Sequence, residues 1–246
     1  DMNITTFRDS DYQNWSQMIC YGNSYETRYC DMTNVAIYQK LFIFATKADY
    51  VFPQPFLSSS GRAPPFDRSE GRLVYEPSVI HSPITALPGE SIHYQSSPLC
   101  YVISHFYNSQ MLWHMLFDFL VPAFHTFMQF ENFEKIDKDY NDRRIFIRDN
   151  ERLVHPKLLR SLSKYDIPNI YGDSITRQFQ RVIVGLEKLE ENPSTARTSN
   201  EMLQIKYNYT NETSPYIRKA IFNALSIKDH PINSESPLIL IVDRSQ

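Results

Sequence analysis

Short apolar runs, each bracketed by polar or turn-forming stretches, constrain this chain more than any other feature. They lie at Val35 to Ala45, Leu99 to His105, Arg144 to Arg148, Arg181 to Gly185 and Leu238 to Val242. The first alternates and is rich in β-branched and aromatic residues, as paired strands are. The last is continuously apolar, the mark of a strand covered on both faces. Between these runs stand helix-like segments at Met111 to Phe130, Lys157 to Lys164 and Tyr216 to Ser226. Ser214 serves the last as N-cap and Pro215 takes its first position. Strands alternating with helices predict an α/β fold with a doubly wound sheet. From Leu57 to Glu90 the chain is rich in Ser, Pro, Gly and Arg, which reads as a long surface loop with one short strand at Leu73 to Tyr75.

Composition narrows the functions open to such a fold. With 246 residues, 42% of them apolar, the chain can bury one sizeable core or two modest ones. A formal charge of -3 leaves no global basic field for nucleic acid or an anionic membrane surface. The 6 glycines are too dispersed to write GxGxxG or GxxxxGK[ST], so neither phosphate-cradling loop is present. The longest apolar stretch, Met111 to Phe130, carries His114, Asp118, His125 and Gln129 at helical spacing, so it reads as a buried helix rather than a membrane span. The chain begins at Asp1 and stops just after an apolar run. The expectation is therefore an excised piece of a longer protein, with any signal or membrane anchor outside it.

Cys20 and Cys30 bracket a polar segment with a Gly-Asn turn signal and read as a disulfide-closed loop. Such a closure contributes about 2 to 3 kcal/mol in the chain-entropy picture. The alternative is two unrelated buried thiols. Cys100 is left over, either buried and inert or paired outside the chain. Asn3, Asn14, Asn208 and Asn211 head N-x-[ST] sequons in polar stretches, which suits glycosylation in the secretory pathway. The histidines show no ligand-grade spacing, and no metal site is assigned.

The densest chemical constellation runs from Asn108 to Pro122. On an α-helix, His114 and Asp118 share a face, so the carboxylate can orient the imidazole as a general base. The alternative is a polar pair satisfied in the core or at a helix surface. Asp243-Arg244 follows the last apolar run, where an α/β sheet collects ligands and where an arginine suits a diphosphate; a terminal surface ion pair is the other reading. Arg143-Arg144 and Arg148-Asp149 flank another run, either as phosphate contacts or as solvated strand ends. Asp118 and Asp149 could serve a glycoside hydrolase, but nothing in their spacing selects them.

Four segments, in order, resemble the family sixty-one glycosyltransferases, which include the EGF-domain O-GlcNAc transferase, the protein O-mannose N-acetylglucosaminyltransferase and plant xylan glycosyltransferases. They are the cysteine-bounded entry to a strand at Arg28 to Ala36, an Asn...Trp-His-x-x-x-Asp-x-x-x-Pro stretch from Asn108 through Trp113, His114 and Asp118 to Pro122, the apolar strand Arg181 to Lys188, and the strand followed by arginine at Leu238 to Arg244. The chain departs from the pattern at Gln178-Phe179, where many relatives carry Cys-Phe, and it stops after Arg244-Ser-Gln where relatives continue.

The resemblance implies Rossmann-like lobes of a two-lobed, GT-B-like enzyme. Residues 1–236 would form an acceptor-side lobe with a long loop at about 57–90, and 237–246 the first strand of a donor lobe whose remainder is missing. It further implies an inverting transfer from a UDP-sugar to a hydroxyl of a glycan or glycoprotein, without a metal bridge or other cofactor, in the lumen of the Golgi or endoplasmic reticulum. By the same resemblance His114 is the base, Asp118 aligns it, Asn108 and Trp113 contact the acceptor, and Arg244 holds the diphosphate. The competing expectation is a non-catalytic secreted domain, derived from such an enzyme, that binds glycan or protein.

Overall fold

The computed structural model describes residues 15–22, 28–38, 41–47, 78–87, 90–103, 115–131, 141–147, 156–170, 174–186 and 216–227. In chain order they form β1 (Gln17–Tyr21), β2 (Tyr29–Tyr38), β3 (Leu41–Ala45), β4 (Ser78–Ile80), β5 (Ser91–Tyr94), β6 (Cys100–Ile103), α1 (Val121–Phe130), β7 (Arg144–Ile147), α2 (Pro156–Leu159), β8 (Thr176–Gly185) and α3 (216–224). A 3-10 turn at Ile84–Ala86 follows β4, and a π-helix at Met115–Leu120 runs into α1. The class is mixed α/β, as expected, but β2 runs antiparallel to β1, β3 and β8, unlike the parallel strands of the doubly wound sheet expected. The Leu238 to Val242 run and the Leu73 to Tyr75 segment lie outside the described residues. Inside the expected loop at 57–90, the strand found is β4 at Ser78–Ile80.

All eight strands join one mixed sheet in the order β4-β3-β2-β8-β6-β7, with β1 beside β2 and β5 beside β8. The central pair, β2 and β8, is antiparallel. β1 and β3 run antiparallel to β2. Only Gln39 and Lys40 separate β2 from β3, and so short a connection permits no other direction. β5 and β6 lie parallel to β8, and β7 parallel to β6.

β2 and β8 each change neighbours half-way. β2 pairs with β1 along Tyr29 to Thr33 and with β3 along Val35 to Tyr38. β8 pairs with β5 along Thr176 to Phe179 and with β6 along Val182 to Val184. The change falls at Asn34, whose φ of 50° is left-handed, a conformation asparagine tolerates better than most residues. Asn34 Nδ2 donates to the Trp15 carbonyl at 3.1 Å, and the Ser16 hydroxyl donates to the Asn34 carbonyl. Ser16 Oγ in turn accepts from the Ala45 amide at 2.8 Å. One serine thus fastens the start of β1 to the end of β3 at the irregularity.

The face of the sheet that carries Tyr29, Tyr101, Ile103, Ile145 and Ile183 packs against Met115, Phe119, Phe124 and Phe127 of the π/α1 segment, with Leu159 of α2 and Ala220 of α3 beside them. The opposite face buries Met32, Val35, Phe44, Val102, Phe179 and Val182. β6 is wholly buried and β7 nearly so, which is why both read as continuous apolar runs. Beyond β7, residues 168–170 cover its outer edge: the Ile147 amide donates to the Pro168 carbonyl at 2.9 Å, and the Ile170 amide to the Ile147 carbonyl at 2.7 Å.

The helix expected over Met111 to Phe130 is present from Met115, but its first part is a π-helix. Pro122 supplies the reason. It has no N–H for the carbonyl of Asp118, four residues back, and its ring crowds that carbonyl, so a regular α-turn cannot pass through it. Asp118 thus lies in a π-helical turn, while His114, its expected partner, lies outside the described residues.

Candidate functional site

The parallel strands β6, β7 and β8 end together. Val102 is in register with Val184, and Ile103 with Ile147, so Ile103, Ile147 and Gly185 line one edge of the sheet. In α/β sheets ligands gather outside the carboxyl ends of the strands. Because β2 runs the other way, its first residue comes to the same edge: Tyr29 is in register with Gly185. Gly185 has a φ of 94°, a value that favours glycine where the chain leaves β8.

Arg28, immediately before Tyr29, sits at this edge. Only 7% of its surface is exposed, and its Nε has no hydrogen-bond partner. Burial alone holds the Arg28 pKa below the ordinary arginine value. Cys30, two residues further on, is bonded to Cys20, with which it is in direct cross-strand register at a Cα separation of 4.1 Å. The disulfide read from the sequence is therefore present, and it ties β1 to β2 beside Arg28.

The amino ends of the parallel strands hold a cluster of another kind. Arg143, just before β7, is fully buried. Its Nε donates to Glu131 Oε1 at 2.8 Å and its Nη2 to Glu131 Oε2 at 2.6 Å, a bidentate pair, while Nη1 donates to the Leu162 carbonyl at 2.9 Å. Tyr101 Oη donates to Glu131 Oε1 at 2.8 Å, and the Arg143 guanidinium lies 4.3 Å from the Phe127 ring centre. Burial first, and then the Glu131 carboxylate, push the Tyr101 phenol well above its ordinary pKa. These bonds fasten the end of α1 to β6, β7 and the turn after α2. Arg143 is thus a structural clamp rather than a phosphate contact or a solvated strand end. Arg144 stacks 4.3 Å from the Tyr165 ring centre.

A third group is half-exposed. Arg181 of β8 forms a bidentate pair with Asp31 of β2, at 3.1 and 2.8 Å, and the Asp31 hydrogen bonds raise the Arg181 pKa. Tyr21 stacks on Tyr29 with ring centres 5.1 Å apart, Phe130 meets both edge-on, and Arg181 lies over Phe130 at 6.0 Å.

Of the residues singled out from the sequence, Asn108, Trp113, His114, Arg148, Asp149, Asp243 and Arg244 lie outside the described residues, as do the sequon asparagines Asn3, Asn14, Asn208 and Asn211. Asp118 falls within the π-helix, its side chain likewise outside the description. Cys100 is fully buried and unpaired; burial pushes its thiol up to about 12, against a smaller opposing pull from Arg144. Among the described residues no group of His, Cys, Asp and Glu could hold a metal ion, and no helix is long and apolar enough to cross a membrane. Sequence reasoning noted Arg28 only as the start of a cysteine-bounded segment; its one local signal is its place directly ahead of a buried strand.

No family model matches the chain, and no curated protein matches it.

Proposed function

We propose that this chain is the acceptor-side portion of a two-lobed inverting glycosyltransferase, which moves a sugar of the GlcNAc, xylose or arabinose class from a UDP-sugar to a hydroxyl of a glycan or glycoprotein. The observation that carries the reading is the meeting of two segments, far apart in sequence, that share the family resemblance. The Arg28 to Ala36 segment enters β2, the Arg181 to Gly185 segment ends β8, and Tyr29 and Gly185 are in register. β6 ends at the same edge, and Asn108, Trp113 and His114 follow it in sequence, outside the described residues.

In this reading His114 takes the proton from the acceptor hydroxyl as its oxygen attacks the anomeric carbon, and the bond to the UDP oxygen breaks on the opposite side. Asp118 aligns the imidazole, Asn108 and Trp113 hold the acceptor, and Arg244 offsets charge growing on the diphosphate. The reading assigns no metal to these steps. The Cys20–Cys30 disulfide agrees with an oxidising compartment such as the secretory lumen.

The second reading, a non-catalytic domain that binds glycan or protein, draws on the half-exposed rings of Tyr21 and Phe130 beside Arg181 and Asp31, since aromatic faces next to polar groups hold sugar rings well. His114→Ala in the full-length protein separates the two. Loss of transfer with a melting temperature within a few degrees of the parent supports the enzyme, and unchanged turnover contradicts the role of His114.

A further inference from the structure

Several arginines on or beside this sheet are buried or paired, and they differ in what they meet; Arg177 of β8, 6% exposed, donates Nη1 to the Ile175 carbonyl at 3.3 Å. Arg143 is saturated by Glu131 and the Leu162 carbonyl, and Arg181 is held by Asp31. Arg28 is 7% exposed, and its buried Nε has no hydrogen-bond partner among the described residues. A guanidinium stays charged throughout the physiological range, so burial without a counter-charge is unfavourable in the empty protein. The lowered pKa of Arg28 has burial as its cause.

The surroundings suit a ligand. Arg28 stands where β6 and β8 end, the edge at which α/β sheets take small molecules, commonly by a phosphate. The strand that carries it is fixed at both flanks: Cys30 is bonded to Cys20, and Tyr29 pairs with both Tyr21 and Gly185. A guanidinium so held loses little freedom when it binds, and its fork matches two oxygens of a phosphate group.

We propose that Arg28 anchors an anion site at the carboxyl edge of β6 and β8 that takes a phosphate-class group, such as one end of a diphosphate. The inference stands on the place and burial of Arg28 and does not depend on the transfer reaction. If both hold, Arg28 would give the acceptor-side lobe its own contact to a phosphorylated ligand.

The test is calorimetric titration and thermal melting of the protein with inorganic pyrophosphate and inorganic phosphate, against sodium acetate and sodium chloride at matched ionic strength. Pyrophosphate, and phosphate more weakly, should bind and raise the melting temperature, whereas acetate and chloride should not. Arg28→Met should weaken pyrophosphate binding by at least about tenfold, the loss expected for one charge-assisted contact. Without anion it should melt no lower than the parent, because an unpaired buried charge has been removed. If Arg28→Met does not fold, the inference is contradicted on that point, and Arg28→Lys still measures the fork, with weaker pyrophosphate binding expected. Absence of binding by the parent, equal affinity in the variants, or equal stabilisation by acetate would each overturn the proposal.

Discussion

Asn34 of β2 lies opposite Gln180 of β8, and at that one position both central strands reverse which side chains face the helices. Before it, Cys30 and Met32 point to the face away from the helices; after it, Val35 and Ile37 do. On β8 the same face takes Phe179 and then Val182 and Val184. Because both strands slip together, their register is the same on either side. The paired irregularity lets two long strands each serve two sets of neighbours without turning an apolar row to water.

Substitution at Asn34 should therefore follow backbone conformation. Asn34→Ala should cost about 1 to 2 kcal/mol, combining a left-handed alanine with the lost bond to the Trp15 carbonyl. Asn34→Gly, which accepts the positive φ, should cost less. Urea unfolding of the two variants checks this, and equal losses would count against the conformational argument.

The Arg143–Glu131 clamp should be the most sensitive polar contact described. Glu131→Gln leaves a fully buried guanidinium without its counter-charge and should destabilise by about 3 to 5 kcal/mol. The part-exposed Glu131 side, 21% accessible, favours the lower end of that range. Exchanging Asp142 or Lys164, an exposed pair at 3.1 Å, should change stability by less than about 1 kcal/mol. Comparable losses at both pairs would remove the distinction drawn between them.

How much of this could be read in the chain follows from where each partner lies. β3, β6, β7 and the second half of β8 are legible because strands buried on both faces show as apolar runs. The first half of β8, Thr176 to Gln180, is polar in composition yet largely buried beside β5, and nothing local marks it. β1 and the start of β2 are hidden for a related reason: Asp31 is stable in mid-sheet through Arg181, 150 positions away. Arg143 reads as a surface charge until Glu131 is seen against it. Pro122 is plain in the sequence, but a proline can end, kink or begin a helix, so the π-helix ahead of α1 is not specified by it alone. For the site, the disulfide partners are legible from spacing, whereas the isolation of Arg28 is a property of three-dimensional neighbours alone.

The cysteines should divide by reactivity. Iodoacetamide at neutral pH should not label the native chain and should label Cys100 only after unfolding without reductant, since Cys20 and Cys30 are bonded. The raised thiol pKa of Cys100 also carries a sign. The folded protein keeps a proton that the unfolded chain releases above about 9, so this contribution to stability is complete below pH 9 and is lost as pH rises toward about 12. Rapid labelling of the native protein, or a Cys100 contribution that grows with rising pH, would contradict the burial described.

The central claim is transfer of a sugar from a nucleotide donor, and release of UDP measures it most directly. The full-length protein should be incubated with UDP-GlcNAc, UDP-xylose and UDP-arabinose in turn, each with glycan and glycoprotein acceptors present. The account predicts acceptor-dependent UDP release with one of these donors. No release above background with any donor and acceptor pair would contradict it and leave the binding domain as the better description.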